Sequence, residues 1–584
     1  MLGLAVGDAL GWPMEDRGRR VGGTAKLQPA FRFMAWQRRE GSHYAPHEQE
    51  VRAGEYSDDT QLALAIARSR SIGEDWWSYF TQVELPLWTV YERGGGGATK
   101  RAAQSWLHGR APWEEKKEEA VSRYLTAGGN GAVMRCLPHC LVPSAGDQNQ
   151  LNKALDLDAI ATHGHPRAIL GSRLYGSAVR WALQRDAPLS YGGLVQRLID
   201  NTAEWGQPTL PQSLLEAQGR DLPAWTREWY ATVEEAIQLL RISLEGLAEG
   251  AIAVDRPVLD ALGAFGDTKG AGTITAVAAI FLASRYASQP EQGLLAAAFA
   301  RGADTDTVAS LTAGLLGALD GPTWLDPLVP DVQDFSYIER ATDALINDEP
   351  IPILPVNRWG RQDRTRLYRQ LDEASLDYVT DLGPFGQAIV THITDPQPRS
   401  SFSTTTSQFV RLWELQTESG QTIQIKRYER GRDGQPRWQS APEPQDPPTQ
   451  SSDTPPRRAK PRAGLVLEVA DLARAQHFYE EIVGLELQRA TMEFVSFGWL
   501  ALEPSILDAI SAQLELTRQS TAQGQAIRIY LSEESLAKAR KQIEALGIKI
   551  SKASPRLKSS AFRCCDPDGH TVEFVAHNGK PPVV

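Results

Sequence analysis

Two short acidic runs stand where helices are about to begin. One is Ser57-Asp58-Asp59-Thr60, directly before Gln61-Leu62-Ala63-Leu64-Ala65; the other is Asp304-Thr305-Asp306-Thr307, between Gly302-Ala303 and Val308-Ala309-Ser310. Either run alone reads as helix capping, because Ser, Thr and Asp in a first turn satisfy orphan amides and suit the positive end of the dipole. Two such runs, each pairing carboxylates with hydroxyls, make an anionic, oxygen-only donor set of the kind hard divalent cations take. Four carboxylates gathered together would repel strongly without cations. If the two helix starts meet in space, the chemistry is that of a two-metal site with a water between the ions.

Three further pieces carry chemistry. In Gly7-Asp8-Ala9-Leu10-Gly11-Trp12-Pro13-Met14-Glu15, glycines four apart permit close backbone packing, and Glu15, beyond Pro13, is free to leave the helix and face a cavity. An N-terminal packing helix with an exposed Glu15 is the plain alternative. Gly128-Gly129-Asn130-Gly131-Ala132-Val133-Met134-Arg135 is a loop of exposed amides suited to phosphate. The run Gly94–Gly97 could serve likewise or be only a flexible loop. Thr162-His163-Gly164-His165-Pro166-Arg167 puts a histidine at another helix start, where it is structural unless an anion faces it.

These pieces need elements to hold them. Residues 1–347 read as one all-α region: Gln61–Arg70, Pro166–Gln184, Val233–Gly246, Thr273–Ala287 and Val308–Leu319 repeat apolar residues with helical period, and no strand-like alternation competes. Residues 348–440 read as a small α+β module of unassigned role, with a helix near Arg364–Tyr378 and a hairpin of Phe409–Leu415 and Thr422–Tyr428 around Glu418-Ser419-Gly420. Between Ala441 and Pro461, seven of 21 residues are proline, which predicts a semi-extended linker. Residues 462–584 read as β-α-β-β-β written twice. Strands are expected at Leu465–Val469, Leu485–Glu503 and Ile527–Leu531, helices at Leu472–Val483 and Glu533–Leu546, and further strands through Phe574.

Composition narrows the function. The chain has 584 residues, 42% hydrophobic and 23% charged, a soluble globular balance. Its length corresponds to about three to four folding units. A net charge of −11 argues against a strong nucleic-acid footprint, since phosphate binding needs a basic face. Four cysteines (Cys136, Cys140, Cys564 and Cys565) form no zinc spacing and are too few for a disulfide scaffold, which points to a cytoplasmic protein. The apolar start lacks a basic leader and a cleavage site, so it does not read as a signal peptide, and no apolar stretch is long enough for a membrane span.

Taken in order, Gly7-Asp8-Ala9-Leu10-Gly11 with Glu15, Ser57-Asp58-Asp59-Thr60, Gly129-Asn130-Gly131-Ala132-Val133-Met134-Arg135, Thr162-His163 and Gly302-Ala303-Asp304-Thr305-Asp306-Thr307 resemble the ADP-ribosylglycohydrolase family, over about residues 1–330. The resemblance implies an all-α fold with a binuclear Mg²⁺ or Mn²⁺ centre. It carries Ser57, Asp58, Asp59, Asp304, Asp306 and Thr307 over as metal ligands. It makes Glu15, Asp58 and Asp59 catalytic, Glu15 as mobile gate or acid/base. It gives Gly129, Asn130, Gly131, Met134, Arg135 and His163 to substrate binding. Ser57 replaces the family's usual Thr and keeps the hydroxyl. Only six residues precede Gly7, so the first helix is expected to be short or the start displaced.

The C-terminal repeat resembles the vicinal oxygen chelate (glyoxalase/bleomycin-resistance) superfamily through Val469-Ala470-Asp471-Leu472, Phe478-Tyr479, Val483-Gly484-Leu485 and Asp566-Pro567-Asp568-Gly569-His570-Thr571-Val572-Glu573. Glu573 and Glu503 stand at ligand positions, while Gly464 and Ala526 stand where side-chain ligands belong, so this domain is expected to bind or dimerise rather than catalyse.

The expected function is metal-dependent hydrolysis of the bond between ADP-ribose and an acceptor on an ADP-ribosylated macromolecule, a protein side chain, with arginine favoured. The alternatives are hydrolysis of another ADP-ribosyl or nucleotide-like compound, and a non-catalytic ADP-ribose-binding scaffold. A homodimer through the C-terminal domain is expected by resemblance.

Overall fold

A computed structural model describes residues 1–430 apart from 16–19, 42–46, 187–188, 251–252, 354–355 and 397–407. Beyond these it describes strand segments and isolated residues between 465 and 576. The chain divides into two compact units, Met1–Arg427 and Tyr428–Val584.

The first unit is built around helix Gly272–Arg285, every residue of which is buried. Its sequence is apolar on all sides, which suits a helix with no solvent face. Helices Pro166–Gln184, Leu222–Ala248 and Thr305–Asp320 pack around it. Helix Leu2–Gly11 lies along Thr305–Asp320 at unusually close range. A Cβ on Gly3, Gly7 or Gly11 would stand 2.3 Å from the carbonyl oxygens of Ala313, Ala309 and Thr305 respectively, so only glycine admits this approach. Among the described residues, no helix is long and apolar enough to cross a membrane.

The region expected to be purely helical contains a two-stranded antiparallel sheet, β1 (Trp36–Glu40) and β2 (His47–Val51). Alternation is present, but the inward positions hold Arg38, His47 and Gln49 as well as Trp36 and Val51, all buried. Hydropathy therefore does not reveal it.

Residues 348–430 form helix Arg361–Asp372 and a four-stranded sheet of β3 (Val379–Asp381), β4 (Gln387–Thr394), β5 (Gln408–Thr417) and β6 (Thr422–Arg430), in the order β3-β4-β5-β6. The helix stops six residues before the expected Tyr378. Asp377 adopts φ 64°, outside the helical region, and its amide donates to the Val390 carbonyl at the sheet edge. Trp413, Leu415, Ile423 and Ile425 share one buried cluster with Leu62, Ile66, Phe80 and Trp88, so this sheet and the helical region have a common core.

The C-terminal unit contains two sheets of the same order. β7 (Leu465–Glu468), β8 (Arg489–Ala490), β9 (Val495–Phe497) and β10 (Leu500–Glu503) run β7-β10-β9-β8. β11 (Ala526–Leu531), β12 (Ser551–Lys552), β13 (Phe562–Cys565) and β14 (Thr571–Ala576) run β11-β14-β13-β12. In each sheet the first and last strands pair parallel and the others antiparallel. Gly464, the expected linker 441–461 and the helix expected at 472–483 lie outside the described residues.

Candidate functional site

The acidic runs open helices Asp58–Arg70 and Thr305–Asp320, and the packing of Leu2–Gly11 brings these helix starts together. Gly11 ends its helix against Thr305, whose hydroxyl donates to the Gly11 carbonyl at 3.0 Å. Asp8, on the same helix, is fully buried and ties down the other start. Its carboxylate accepts from the Ser57 amide (3.1 Å), the Thr60 amide (3.0 Å) and the Thr60 hydroxyl (2.7 Å). A single glycine-lined helix thus holds both acidic runs in register.

The result is a cavity of about 180 Å³ lined on one side by Glu15, Asp58, Asp59, Asp304, Asp306 and Thr307. Carboxylate oxygens of Glu15, Asp304 and Asp306 lie within 4.8 Å of one another. Thr307 Oγ1 is 3.5 Å from Asp59 Oδ1, linking the two runs directly. The other Asp59 oxygen, Oδ2, is buried without a hydrogen-bond partner.

Burial pushes the Asp58 carboxyl up to about 8, with the charges of Glu92, Asp8 and Glu15 adding to it. Asp59 is raised well above its ordinary value by burial and then by Asp8, Asp306, Asp58 and Asp304. Asp8 is raised by burial, and its hydrogen bonds from Thr60 and Ser57 oppose that. Crowded carboxylates that resist ionisation, one with an unused buried oxygen, are what a divalent cation relieves. The residues fit such an ion.

The opposite wall is the Gly129–Gly131 loop with Met134 and His163. Asn130 joins the walls, because its Nδ2 donates to Asp304 Oδ2 at 2.9 Å. The loop is pinned from behind by Asn130 N to the Gly270 carbonyl (2.8 Å) and Gly272 N to the Gly128 carbonyl (2.9 Å). A Cβ on Gly131 would come 2.7 Å from Thr99 Oγ1 and 2.9 Å from His163 Cε1, so the close approach requires glycine.

His163 is buried, and burial with the nearby Arg135 charge holds its pKa down to about 3, so the ring is neutral. Arg135 Nη2 donates to Thr162 Oγ1 (2.9 Å), and that hydroxyl lies 2.7 Å from His163 Nδ1. In the tautomer where the Thr162 hydroxyl donates to Nδ1, the ring proton sits on Nε2, which faces the glycine loop.

Eleven of the thirteen residues expected at the site line this cavity: Glu15, Asp58, Asp59, Gly129, Asn130, Gly131, Met134, His163, Asp304, Asp306 and Thr307. Two stand behind it. Ser57 is wholly buried, and its hydroxyl accepts from the Asp59 amide at 3.3 Å, the capping role that its position also suggested. Arg135, expected to touch substrate, is also wholly buried. It spends its guanidinium on Asp158 Oδ1 (2.8 Å), the Gly131 carbonyl (2.9 Å) and Thr162, so it braces the loop instead. Sequence reasoning left Gly94, Gly96 and Gly97 as an open alternative, and they line the cavity together with Ala98 and Thr99. The glycine run was the readable signal; nothing local marked Thr99.

Comparison with known proteins gives two family matches. Residues 1–351 match the ADP-ribosylglycohydrolase model, and residues 464–574 match the Glyoxalase/Bleomycin resistance protein/Dioxygenase superfamily. The "Uncharacterized protein YegU" of Escherichia coli (strain K12) is 25% identical over 343 residues, 56% of this chain and 88% of that protein. The "ADP-ribosyl-[dinitrogen reductase] glycohydrolase" of Rhodospirillum rubrum is 30% identical over 169 residues, 28% of this chain and half of that protein. A solved structure titled "ADP-ribosylglycohydrolase-related protein complex" aligns over 60% of this chain and 96% of its own, at 22% identity and a TM-score of 0.37.

Proposed function

We propose that this chain, which belongs to the ADP-ribosylglycohydrolase family, is a metal-dependent hydrolase that releases ADP-ribose from an ADP-ribosylated protein side chain, arginine first among the acceptors. The protein acceptor is taken over from the printed activity of the Rhodospirillum rubrum relative. The observation that carries the reading is one cavity with acids on one wall and a glycine loop with a neutral histidine on the other.

In this reading Asp58, Asp59, Asp304, Asp306, Thr307 and Ser57 would hold two Mg²⁺ or Mn²⁺ ions. A divalent pair held there supplies charge neutralisation and a more acidic water. The anomeric carbon passes through an oxocarbenium-like state, which the surrounding carboxylates stabilise. Glu15 follows the Trp12–Met14 turn, with its amide on the Trp12 carbonyl (3.2 Å), and in this reading it would pass a proton between water and the departing acceptor. The amides of Gly129 and Gly131 and the Nε2–H of His163 would take the diphosphate oxygens, the Asn130 amide being spent on the Gly270 carbonyl, which turns binding energy into orientation at the reacting carbon.

The test is a panel of defined ADP-ribosylated substrates (arginine-, serine-, acidic- and nucleic-acid-linked) incubated with Mg²⁺ or Mn²⁺, with free ADP-ribose as the readout. Release that depends on the ion and is fastest from arginine supports the proposal. Binding of ADP-ribose without release from any substrate gives the scaffold reading instead.

A further inference from the structure

The sheet of β3–β6 lies beyond residue 351, where the family match ends. Strand β6 alternates: Ile423 and Ile425 enter the core, while Thr422, Gln424 and Lys426 stand on the other face. Each of these three leads, through other side chains, toward a different stretch of the cavity lining, although none lines it.

Thr422 donates its amide (3.0 Å) and hydroxyl (2.8 Å) to the Asp334 carboxylate, which also accepts the Tyr56 hydroxyl at 2.7 Å. Tyr56 immediately precedes the first acidic run. Gln424 is fully used: Nε2 donates to Glu55 Oε1 (3.1 Å) and Glu414 Oε2 (3.2 Å), and Oε1 accepts from Gln49 (3.0 Å). The second Glu55 oxygen takes Arg93 Nη2 at 2.8 Å, one residue ahead of the Gly94–Gly97 loop. Lys426 Nζ is 3.9 Å from Glu40 Oε2, and Glu40 pairs with Arg38. The Arg38 and Arg93 guanidinium groups lie 4.9 and 5.1 Å from the centre of the Trp12 ring, three residues before Glu15.

These ties meet a segment otherwise held by a few bonds: the Arg52 amide and Nε donate to Glu55 Oε2 (3.1 Å) and Oε1 (3.0 Å), and the Gln333 amide donates to the Gly54 carbonyl (2.9 Å). Between β2 and helix Asp58–Arg70 the chain has no regular ladder, and Gly54 turns through φ 83°. Irregular backbone of this kind opens easily unless outside contacts fix it.

We propose that strand β6 is a positioning element of the catalytic cavity. Gln424 is its central positioning residue, holding Glu55 and through it Arg93, so that Asp58 and Gly94 keep their places. The inference rests on the hydrolase reading above, and two of its readouts do not need turnover.

The experiment compares wild type with Gln424→Ala and Gln424→Met in the full chain. Methionine keeps the length and loses the amide, should alanine disturb packing. Ile389→Ser, on the exposed face of β4, is the control from the same sheet. Three quantities are read: kcat for ADP-ribose release, affinity for Mn²⁺ alone, and amide hydrogen exchange over residues 52–61 and 92–97. A group bonded directly to a metal ligand is worth about 10–100-fold in affinity or activity, and Gln424, which stands one step further out behind Glu55, belongs at the low end of that range. Both Gln424 variants should therefore lose about tenfold in kcat and in Mn²⁺ affinity, with faster exchange confined to those two segments, while Ile389→Ser stays at wild type. Unchanged exchange and Mn²⁺ affinity in both Gln424 variants would overturn the inference, as would exchange that rises uniformly across residues 1–427. A wild type that releases no ADP-ribose refutes the hydrolase reading alone, because exchange and Mn²⁺ binding still decide the role of β6.

Discussion

Replacing Gly3, Gly7 and Gly11 one at a time by alanine tests the contact that brings the acidic runs together. Each new methyl would start 2.3 Å from a carbonyl of helix Thr305–Asp320, where ordinary contact begins at 3.4 Å, so the helices must part by about 1 Å. Overpacking of this size costs about 1–3 kcal/mol. Alanine returns about 1 kcal/mol through its helix preference, leaving a net loss of up to about 2 kcal/mol. Gly317→Ala is the opposite case: it lies in the same helix with no atom within 4 Å of a Cβ, so it should stabilise by up to about 1 kcal/mol. Function separates the three positions further. Gly3 and Gly11 are about 12 Å apart along the axis at 1.5 Å per residue, and only Gly11 sits beside Asp306, whose Cα would be 2.9 Å from the methyl. Urea midpoints should fall similarly in all three variants. Mn²⁺ affinity should fall most in Gly11→Ala, less in Gly7→Ala and least in Gly3→Ala. A Gly7→Ala protein more stable than wild type, or equal losses of Mn²⁺ affinity at positions 3 and 11, would refute the reasoning.

Four more outcomes are expected. Asp58→Ala and Asp304→Ala should each abolish ADP-ribose release with the far-ultraviolet helical signal retained; activity surviving in either at saturating metal excludes the two-metal reading. Glu15→Gln should lower kcat by about 10²–10⁴-fold, the range for a lost acid/base group, with ADP-ribose binding little changed by titration. Burial would raise the Asp158 carboxyl, but Arg135 and His139 more than offset it and hold it below its ordinary 3.8. A depressed carboxylate contributes stability above its unfolded value and loses it as pH falls through the folded one, and Asp158→Asn also strands a buried guanidinium at a cost of about 3–5 kcal/mol. The stability gap between wild type and Asp158→Asn should thus be wide at pH 7 and narrow below pH 3.8; a gap constant from pH 7 to 3 contradicts this. Limited proteolysis should cut within the proline-rich stretch 441–461 and leave an N-terminal fragment that still releases ADP-ribose; a folded, metal-loaded but inactive fragment would place substrate recognition in the C-terminal domain.

The helices and the acidic pairs were legible because their signals are local. Period and capping chemistry mark Asp58–Arg70 and Thr305–Asp320 without tertiary information. What was illegible depended on a partner distant in sequence. The β1–β2 sheet escaped notice because Arg38 and Gln49 occupy inward positions that hydropathy assigns to solvent, and Arg38 is accommodated there over Trp12. The family resemblance gave Arg135 to the substrate, yet Asp158, 23 residues on, takes its guanidinium away from the cavity. The hairpin of β5 and β6 was readable as alternation, but what Gln424 meets is Glu55, 369 residues earlier, and no local pattern encodes that.

The common core of the helical region and the β3–β6 sheet also separates two boundaries that are often equated. The family match ends at residue 351, whereas the compact unit ends at Arg427. Trp413, Leu415, Ile423 and Ile425 are each 2% exposed or less against Leu62, Ile66, Phe80 and Trp88. At about 1.5–3 kcal/mol for each large apolar side chain, uncovering that face removes an amount comparable to the whole stability of a typical domain. It also takes Gln421 from the buried guanidinium of Arg68. Recombination that joined residues 1–351 to some other protein would transplant the cavity residues without part of the scaffold they stand on. The piece of this chain that packs as one unit runs some 75 residues past the end of the family match.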